Sequence, residues 1–299
     1  VIQRFQRVKL FVLGSTGFIG QRFVGVAPEG FEIVSEIDPA NPAFVDLTRY
    51  ETMLRWLDDL RPDAVLNLAG KSYHTAANDA DIYESNVLVE LNLHEAIDAL
   101  KLSPTVVVAS SSAVYRGSAE PVDEDASCLP AGTYGRAKYV QERVGLSYRP
   151  RQRVIVARLF NVIGPRQSRD FFLPAVIERL VRFKNGETKE VALKTLEATR
   201  DFIYVDDACR ALAAIVARGA DGEIYNVCSG KGTSVGEAIE ILRGVFGLAR
   251  VPLAPRDDSV KEGVARQIGS NRKLRGLGWS PSFDIERAIE TIVREEYGI

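Results

Sequence analysis

Apolar and polar positions along this chain fall into blocks whose period switches between about two residues and about 3.6, and the first block is the sharpest. Val8 to Leu13 is an unbroken, β-prone apolar run, the pattern of a strand buried on both faces of a parallel sheet. It runs into Gly14, Gly17 and Gly20 and then a short helical pattern. Phe31 to Ile37 predicts a second strand, ending in the acidic residues Glu36 and Asp38. Thr48 to Leu60 predicts a helix, with Thr48 as N-cap and Glu51 three residues on, a capping-box pattern. Asp63 to Leu68 is the third strand, Ala80 to Leu100 a long amphipathic helix, and Thr105 to Ala109 a short β-branched strand ahead of Ser110, Ser111 and Ser112.

An acidic, proline-containing loop from Arg116 to Gly132 precedes a predicted helix over Thr133 to Ser147, and Val154 to Leu159 is the next strand. Beyond it the alternation loosens. Phe171 to Phe183, Asp206 to Arg218 and Ser234 to Phe246 predict helices, Ile224 to Val227 a strand, and Ile285 to Glu296 a final helix. Strands alternating with helices argue for βαβ units and a parallel sheet. The less regular second half predicts a smaller lobe closing over whatever the first half binds.

Composition narrows the classes. At 299 residues the chain suits one large α/β domain or two unequal lobes. A net charge of −2 leaves no basic footprint for nucleic acid or a membrane surface. An anionic ligand must then be held by a few arginines and backbone amides. Three widely spaced cysteines (Cys128, Cys209, Cys228) and two histidines offer no zinc pattern and fit reduced thiols of a cytoplasmic protein. No run reaches transmembrane length and no signal-peptide pattern appears. Met53 is the only methionine, so Val1 to Arg7 is expected to be trimmed or partly tag.

Candidate chemistry then enters in chain order. Glycines after a buried strand allow a tight turn, a close approach to a pyrophosphate and close helix–strand packing. The following helix aims its N–H groups at that anion. Tyr134-Gly-Arg-Ala-Lys138 puts a phenol and an ammonium at i and i+4, on one side of a helix turn. A phenol with pKa about 10 is a poor base at neutral pH. A cation ~5 Å away at an effective dielectric of ~20 favours the phenolate by roughly 3 kcal/mol, about two pKa units. That suits general acid/base work on a carbonyl. The serine cluster lies at the carboxyl end of a strand, where open α/β sheets present ligands, and periodicity does not choose among Ser110, Ser111 and Ser112.

Over essentially its whole length the chain resembles the extended short-chain dehydrogenase/reductase family, sugar-nucleotide branch. The matching pieces are GSTGFIG (14–20), VDL (45–47), NLAG (67–70), Asn86, SSSAVY (110–115), YGRAK (134–138), ARLFNVIGP (157–165), TRDFIYVDD (199–207) and YNVCSG (225–230). The resemblance implies a Rossmann-type doubly wound parallel sheet with a smaller α/β C-terminal lobe. Residues 1–160, joined by about 201–228, would bind NAD(H) or NADP(H). About 161–200 and 229–299 would hold a nucleotide-diphosphate sugar. It implies Ser111 as catalytic hydroxyl, Tyr134 as acid/base, and Lys138 bound to the nicotinamide ribose as well as tuning the tyrosine. Cofactor contacts are implied for Gly14, Thr16, Gly17, Phe18, Ile19, Gly20, Leu68, Ala69, Gly70 and Asn86, with Asp38 on the adenosine ribose and Asp46 and Leu47 on the adenine. Substrate contacts are implied for Lys71, Ser72, Ser111, Ser112, Asn161, Gln167, Arg200 and Arg256, with Arg200 on the diphosphate. His74 is a further candidate, a solvated loop being the alternative for it and for Lys71. Relatives of this kind pair through two long helices, here Ala80–Leu100 and Thr133–Ser147, so a homodimer is expected.

Within the family, GPRQSRDFFLPAV, LEATRDF and GEIYNVCSGKGTSV are most similar to reductases of GDP-4-keto-6-deoxy-D-mannose. Arg136-Ala137 and Tyr115-Arg-Gly depart from the usual wording. A 4,6-dehydratase needs an acid just after the catalytic hydroxyl, and Ser112 and Ala113 supply none. Reduction of a sugar C4 ketone is therefore expected, with 4-epimerisation on tightly held NAD as the alternative and a non-catalytic sensor or scaffold as the remote one. Glu36 and Asp38, with no arginine following, lean towards NAD(H), while Arg22 just past the glycine turn is placed to meet a 2′-phosphate.

Overall fold

Val8–Leu13 forms strand β1, and its side chains alternate between two cores: Leu10 and Val12 enter one, Phe11 and Leu13 the other. Burial on both faces is why the run is continuously apolar. The computed structural model describes residues 7–26, 28–36, 45–72, 75–193, 196–255 and 265–298. After β1 come α1 (Phe18–Val26), β2 (Phe31–Ser35), α2 (Tyr50–Leu60), β3 (Ala64–Asn67), α3 (Asp79–Tyr83), α4 (Val89–Ala99), β4 (Thr105–Ser111), α5 (Thr133–Ser147) and β5 (Arg153–Leu159). The second half adds β6 (Asn161–Ile163), α6 (Phe172–Lys184), β7 (Val191–Leu193), β8 (Thr199–Tyr204), α7 (Val205–Arg218), β9 (Ile224–Val227), β10 (Gly232–Ser234), α8 (Val235–Val245), β11 (Leu253–Pro255), β12 (Arg266–Gln267), α9 (Arg272–Arg275) and α10 (Ile285–Tyr297).

Six strands make a parallel sheet in the order β2-β1-β3-β4-β5-β9. This is the doubly wound, Rossmann-type arrangement that the resemblance implies. One face is covered by α2 and α4, through Met53, Leu57, Leu93 and Ile97. The other is covered by α1 and α7, through Phe23, Leu212 and Ile215, and that core runs on into α6, α8 and α10. Each large aliphatic buried in this way contributes roughly 1.5–3 kcal/mol. The strand order reverses between β1 and β3, so their carboxyl ends open a crevice where such sheets bind ligands.

A second, smaller sheet runs β10-β8-β12, with β6 on β8. Arg200 of β8 sits between Thr233 of β10 and Gln267 of β12. The next residue, Asp201, is fully buried and ties the surrounding loops together. Its carboxylate accepts from Ser229 N (2.8 Å), Ser229 Oγ (2.7 Å), Gly230 N (3.0 Å) and Gly269 N (3.2 Å).

Several predicted boundaries move, each for a local reason. The helix expected from Thr48 starts at Tyr50 with Arg49 as a cap that makes no side-chain bond. Thr48 turns back instead: its N–H and hydroxyl both donate to Asp46 Oδ1, at 3.0 and 2.6 Å. The long helix over Ala80–Leu100 is interrupted by a π-helical turn at Glu84–Leu88 that separates α3 from α4. The β-branched strand runs past Ala109 to Ser111, so two of the three serines are strand residues. The second strand ends at Ser35, and Ile37 and Asp38 lie outside the described residues. Strands β6, β10 and β12 escape the sequence because two or three residues hold too few alternations to show a period.

Candidate active site at the carboxyl ends of the strands

The glycine turn is built by close approach. Gly14 has φ +78°, and a Cβ there would lie 2.6 Å from Ala69 N, where the ends of β1 and β3 meet. A Cβ at Gly20 would fall 2.1 Å from Gly14 O, so α1 can begin where it does only without a side chain at that position. Gly17 N donates to Gly14 O at 3.0 Å. Thr16 is exposed at the tip, while Phe18 and Ile19 turn inward, half buried against the core. Leu68 N donates to Leu13 O (2.9 Å), which keeps the β3 end beside the turn.

Glu36, just past β2, reaches into this turn, accepting from Ser15 N at 2.8 Å. It is 5% exposed, its other oxygen, Oε2, has no hydrogen-bond partner in the protein, and burial pushes its carboxyl pKa upward. A buried oxygen of this kind fits a hydroxyl-bearing ligand. The role expected of Asp38 lies outside the described residues, as do Arg256 and His74. Arg22 does not face the turn: it pairs with Asp206 of α7, with Nη2–Oδ2 at 2.8 Å, and a 2′-phosphate would have to compete with that carboxylate. Asp46 is occupied by Thr48, and Leu47 packs on the α2 side of the sheet.

Beside the turn, β3, the π-turn and α5 converge. A Cβ on Gly70 (φ +149°) would lie 2.2 Å from Asn86 Oδ1 and 3.3 Å from Lys138 Nζ. Asn86 donates to Lys71 O (2.9 Å) and Ile82 O (2.7 Å), which leaves its buried Oδ1 without a partner. Lys138 donates to Ala109 O and to Gln141 Oε1, both at 2.9 Å. Burial lowers its ammonium pKa to about 8, against the opposing pull of Glu90 and Glu142.

The structure separates the three serines. Ser110 is 1% exposed and donates to Glu142, whose carboxylate also holds Arg158 at 2.8 and 2.9 Å. Ser112 is buried, and its carbonyl accepts from Gln267 Nε2 at 2.7 Å. Ser111 alternates to the other side of β4, half buried, its Oγ accepting from Ala113 N at 3.2 Å. A Cβ on Gly135 would sit 2.4 Å from Ala113 O, so the first turn of α5, carrying half-buried Tyr134, is pressed onto the turn that follows Ser111.

Gln267 couples this corner to the small sheet, because it pairs with Arg200 in register and bonds Ser112. Arg200 is half buried and donates to Thr199 O at 2.9 Å. Asn161 donates to Asp201 O (3.0 Å) and Gln167 to Val162 O (2.8 Å), while Gln167 Oε1 is buried without a partner. Lys71 is exposed and paired with Asp81 at 2.8 Å. Ser72 closes a short turn with Thr75. Sequence reasoning missed Glu90, Gln141 and Gln267. Gln141 lies three residues after Lys138 and Glu90 four after Asn86, spacings that share a helix face without saying what the face meets.

Among the described residues no helix is long and apolar enough to cross a membrane, and no group of His, Cys, Asp and Glu is placed to hold a metal. The glycine cradle and the partnerless buried oxygens of Glu36 and Asn86 fit an extended polar cofactor along the crevice. The NAD dependent epimerase/dehydratase family matches residues 10–228. The chain belongs to this family and with it to the extended short-chain dehydrogenases/reductases, enzymes that work with NAD(P). Among curated proteins it is 30% identical to GDP-6-deoxy-D-mannose reductase of Pseudomonas aeruginosa, covering 96% of each chain. Among solved structures it resembles RMD from Pseudomonas aeruginosa complexed with NADPH, with TM-score 0.85, 29% identity and 97% of each chain covered. A putative epimerase from Burkholderia cenocepacia gives TM-score 0.86 at 27% identity, over 98% of this chain and 99% of that one.

Proposed function

We propose that this enzyme reduces the C4 ketone of a nucleotide-diphospho-4-keto-6-deoxyhexose, GDP-linked, with Tyr134 as proton donor. The observation that carries the reading is the corner where β4 meets α5. There the first turn of α5, with Tyr134, sits against the turn after Ser111, Lys138 is anchored on Ala109, and no acid follows Ser111. Without that acid a leaving hydroxyl at C6 has no proton source, and the chemistry narrows to ketone–alcohol exchange. The GDP-6-deoxyhexose assignment draws on the relative of that name and on Arg200, a fork suited to a diphosphate.

When bound, the reduced nicotinamide supplies the hydride that reaches C4. Tyr134 gives its proton to the ketone oxygen as charge develops there, and Ser111 donates a hydrogen bond to the same oxygen. The Lys138 cation lowers the cost of the resulting phenolate. Residues 1–160 with about 201–228 form the cofactor lobe in this reading, and the remainder grips the nucleotide sugar. Glu36, buried against the glycine turn, favours NADH, since a 2′-phosphate would bring a second anion next to it. Two protomers pair through the outer faces of α3–α4 and α5, where Tyr83, Leu88, Leu91 and Val140 are exposed.

The test mixes purified protein with NADH or NADPH and GDP-4-keto-6-deoxymannose and follows absorbance at the dihydronicotinamide band. Stoichiometric oxidation with formation of the alcohol is expected. Absence of net oxidation, with NAD surviving purification on the protein, would replace reduction by 4-epimerisation.

A further inference from the structure

Behind Lys138, on the side away from Tyr134's turn, lies a chain of buried polar side chains that the proposed reaction does not use. Gln141, whose oxygen accepts from Lys138, donates through Nε2 to Glu90 Oε2 at 2.9 Å. Asn67 Nδ2 donates to the same oxygen at 2.7 Å, and Glu90 Oε1 faces His94 Nε2 at 2.9 Å. His94 Nδ1 meets Gln152 Oε1, and Gln152 Nε2 donates to His94 O (2.9 Å) and Asp98 Oδ1 (2.6 Å). Asn67, Glu90, His94 and Gln141 are all fully buried.

Backbone groups set the polarity of this chain from both ends. Ala69 N donates to Asn67 Oδ1 at 3.0 Å, which turns the Asn67 amide nitrogen to Glu90 and makes Glu90 Oε2 an acceptor. Gln141 must then present its nitrogen to Glu90 and its oxygen to Lys138. At the far end the His94 carbonyl takes Gln152 Nε2, so Gln152 turns its oxygen to Nδ1 and that nitrogen carries a hydrogen. One further proton must lie between His94 Nε2 and Glu90 Oε1. The pair therefore holds either imidazolium and carboxylate or neutral imidazole and carboxylic acid. In both forms it has no net charge, and Glu90 is the member nearer to Lys138.

We propose that Glu90 and His94 form a buried charge-setting pair for Lys138. Glu90, acting through Gln141, positions the ammonium and holds it charged, and His94 trims Glu90's field by sharing its proton. Both are positioning residues and touch no reacting atom. Among the described residues, the other charges facing this region are already paired. On α5, Glu142 is held by Arg158 of β5, and Tyr134 lies one turn back. Around His94, the Tyr148 ring stacks at 4.7 Å with its hydroxyl on Glu95, and Asp98 is paired with Arg151 at 2.9 Å. The Glu90–His94 proton is thus the adjustable charge behind the lysine. The role of this pair in turnover rests on the ketone reduction proposed above, but its effect on Lys138 does not.

The experiment is a pH titration of Lys138 by NMR in the full chain labelled with [13C,15N]lysine, without substrate. The resonance is assigned by its loss in Lys138→Met. Glu90→Gln, which keeps the geometry and removes the carboxylate, is expected to lower the Lys138 titration midpoint by about one unit, a tenfold loss of proton affinity. His94→Gln, which still donates to Glu90 but leaves it a full carboxylate, is expected to raise the midpoint by a similar amount. A purely structural role would move both variants together or neither, and either result overturns the proposal. Should Glu90→Gln not fold, His94→Gln decides alone: a raised midpoint supports the proposal and an unmoved or lowered one overturns it. With NADH and the keto sugar, the alkaline limb of kcat/KM is expected to move as the midpoint does. If the chain reduces no ketone, the titration still decides this inference. If it reduces the ketone while the midpoints stay together, only the inference falls.

Discussion

At the scale of single residues the three adjacent serines give the cleanest separation of chemistry from architecture. All three read alike in the sequence because a period of two cannot tell which face of a strand end meets a ligand. The structure divides them by partner: Ser110 is committed to the Glu142–Arg158 pair, Ser112 offers its carbonyl to Gln267, and Ser111 accepts from Ala113 N in the turn on which α5 rests. Ser111→Ala is expected to lower kcat by about 10²-fold, since it removes one hydrogen bond to the developing oxyanion, with a stability loss of no more than about 1 kcal/mol from the lost Ala113 N–H bond. Ser110→Ala is expected to reverse that pattern, costing about 1–2 kcal/mol of stability through a buried carboxylate that loses a donor. Urea unfolding and initial rates on both variants check the pair. Lys138 makes the trade between function and stability measurable. Burial lowers its pKa from 10.5 to about 8, so the unfolded chain holds the proton more tightly. The sign follows: the penalty, on the order of 3 kcal/mol, is full below about pH 8 and fades as the pH rises towards 10.5. Lys138→Met removes that penalty but leaves two buried acceptors unpaired, at about 1–3 kcal/mol each, so the sign at one pH is not diagnostic. Its stability relative to the parent is expected to fall by roughly 2–3 kcal/mol between pH 7 and pH 10. Denaturant midpoints at the two pH values decide it.

Elements place those residues by steric exclusion more than by attraction, and this is where sequence and structure diverge most. The β1 run and the glycine turn were legible because double-sided burial and backbone crowding each leave a compositional mark. The capping box at Thr48 does not form because its N–H, which Glu51 would accept, and its hydroxyl both donate to Asp46, two residues upstream, at 3.0 and 2.6 Å. The π-turn at Glu84–Leu88 left no mark in a 3.6 pattern, although it is what turns Asn86 towards Gly70 and Lys138. By propensity Gly135 is a weak helix residue. In the fold its missing side chain lets α5 rest on Ala113 O, where a Cβ would intrude to 2.4 Å. Gly135→Ala is expected to push Tyr134 outward by something under an ångström and to lower kcat about 10²-fold, with Lys138 still titrating normally. The glycine turn yields a cofactor prediction on the same logic. Glu36 touches Ser15 N with one oxygen and leaves the other unpartnered, so Glu36→Ser should weaken NADH binding and strengthen NADPH binding. Fluorescence titration of the two cofactors against parent and variant checks this, and an unchanged ratio would remove Glu36 from the selection.

For the whole molecule, the regular sheet fixes where the crevice lies, and the small sheet decides what faces it. β8 carries the join. Arg200 lies in register with Gln267, Gln267 reaches Ser112, and the neighbouring Asp201 gathers four donors from loops far apart in the chain. No local pattern announces such an arrangement, because its contacts cross between segments that are separately short and irregular. The outside of the molecule carries a second long-range feature. The α3–α4 segment and α5 pack side by side on one face of the large sheet, and their outward positions include Tyr83, Leu88, Leu91 and Val140, each 36–39% exposed. Apolar side chains concentrated on two adjacent helices form a surface that water does not favour. A second copy of the same surface would cover it, by the self-complementarity of a two-fold interface. Each mutated position then appears twice in the dimer, so Leu91→Glu places two carboxylates in the interface and should shift the chain to monomer at micromolar concentration, as light scattering on a sizing column would report. Because α5 also carries Tyr134 and Lys138, the monomer is expected to retain NADH affinity within a few-fold while losing turnover about tenfold. A variant that stayed dimeric, or a parent already monomeric, would show that these side chains are not the seam between two copies.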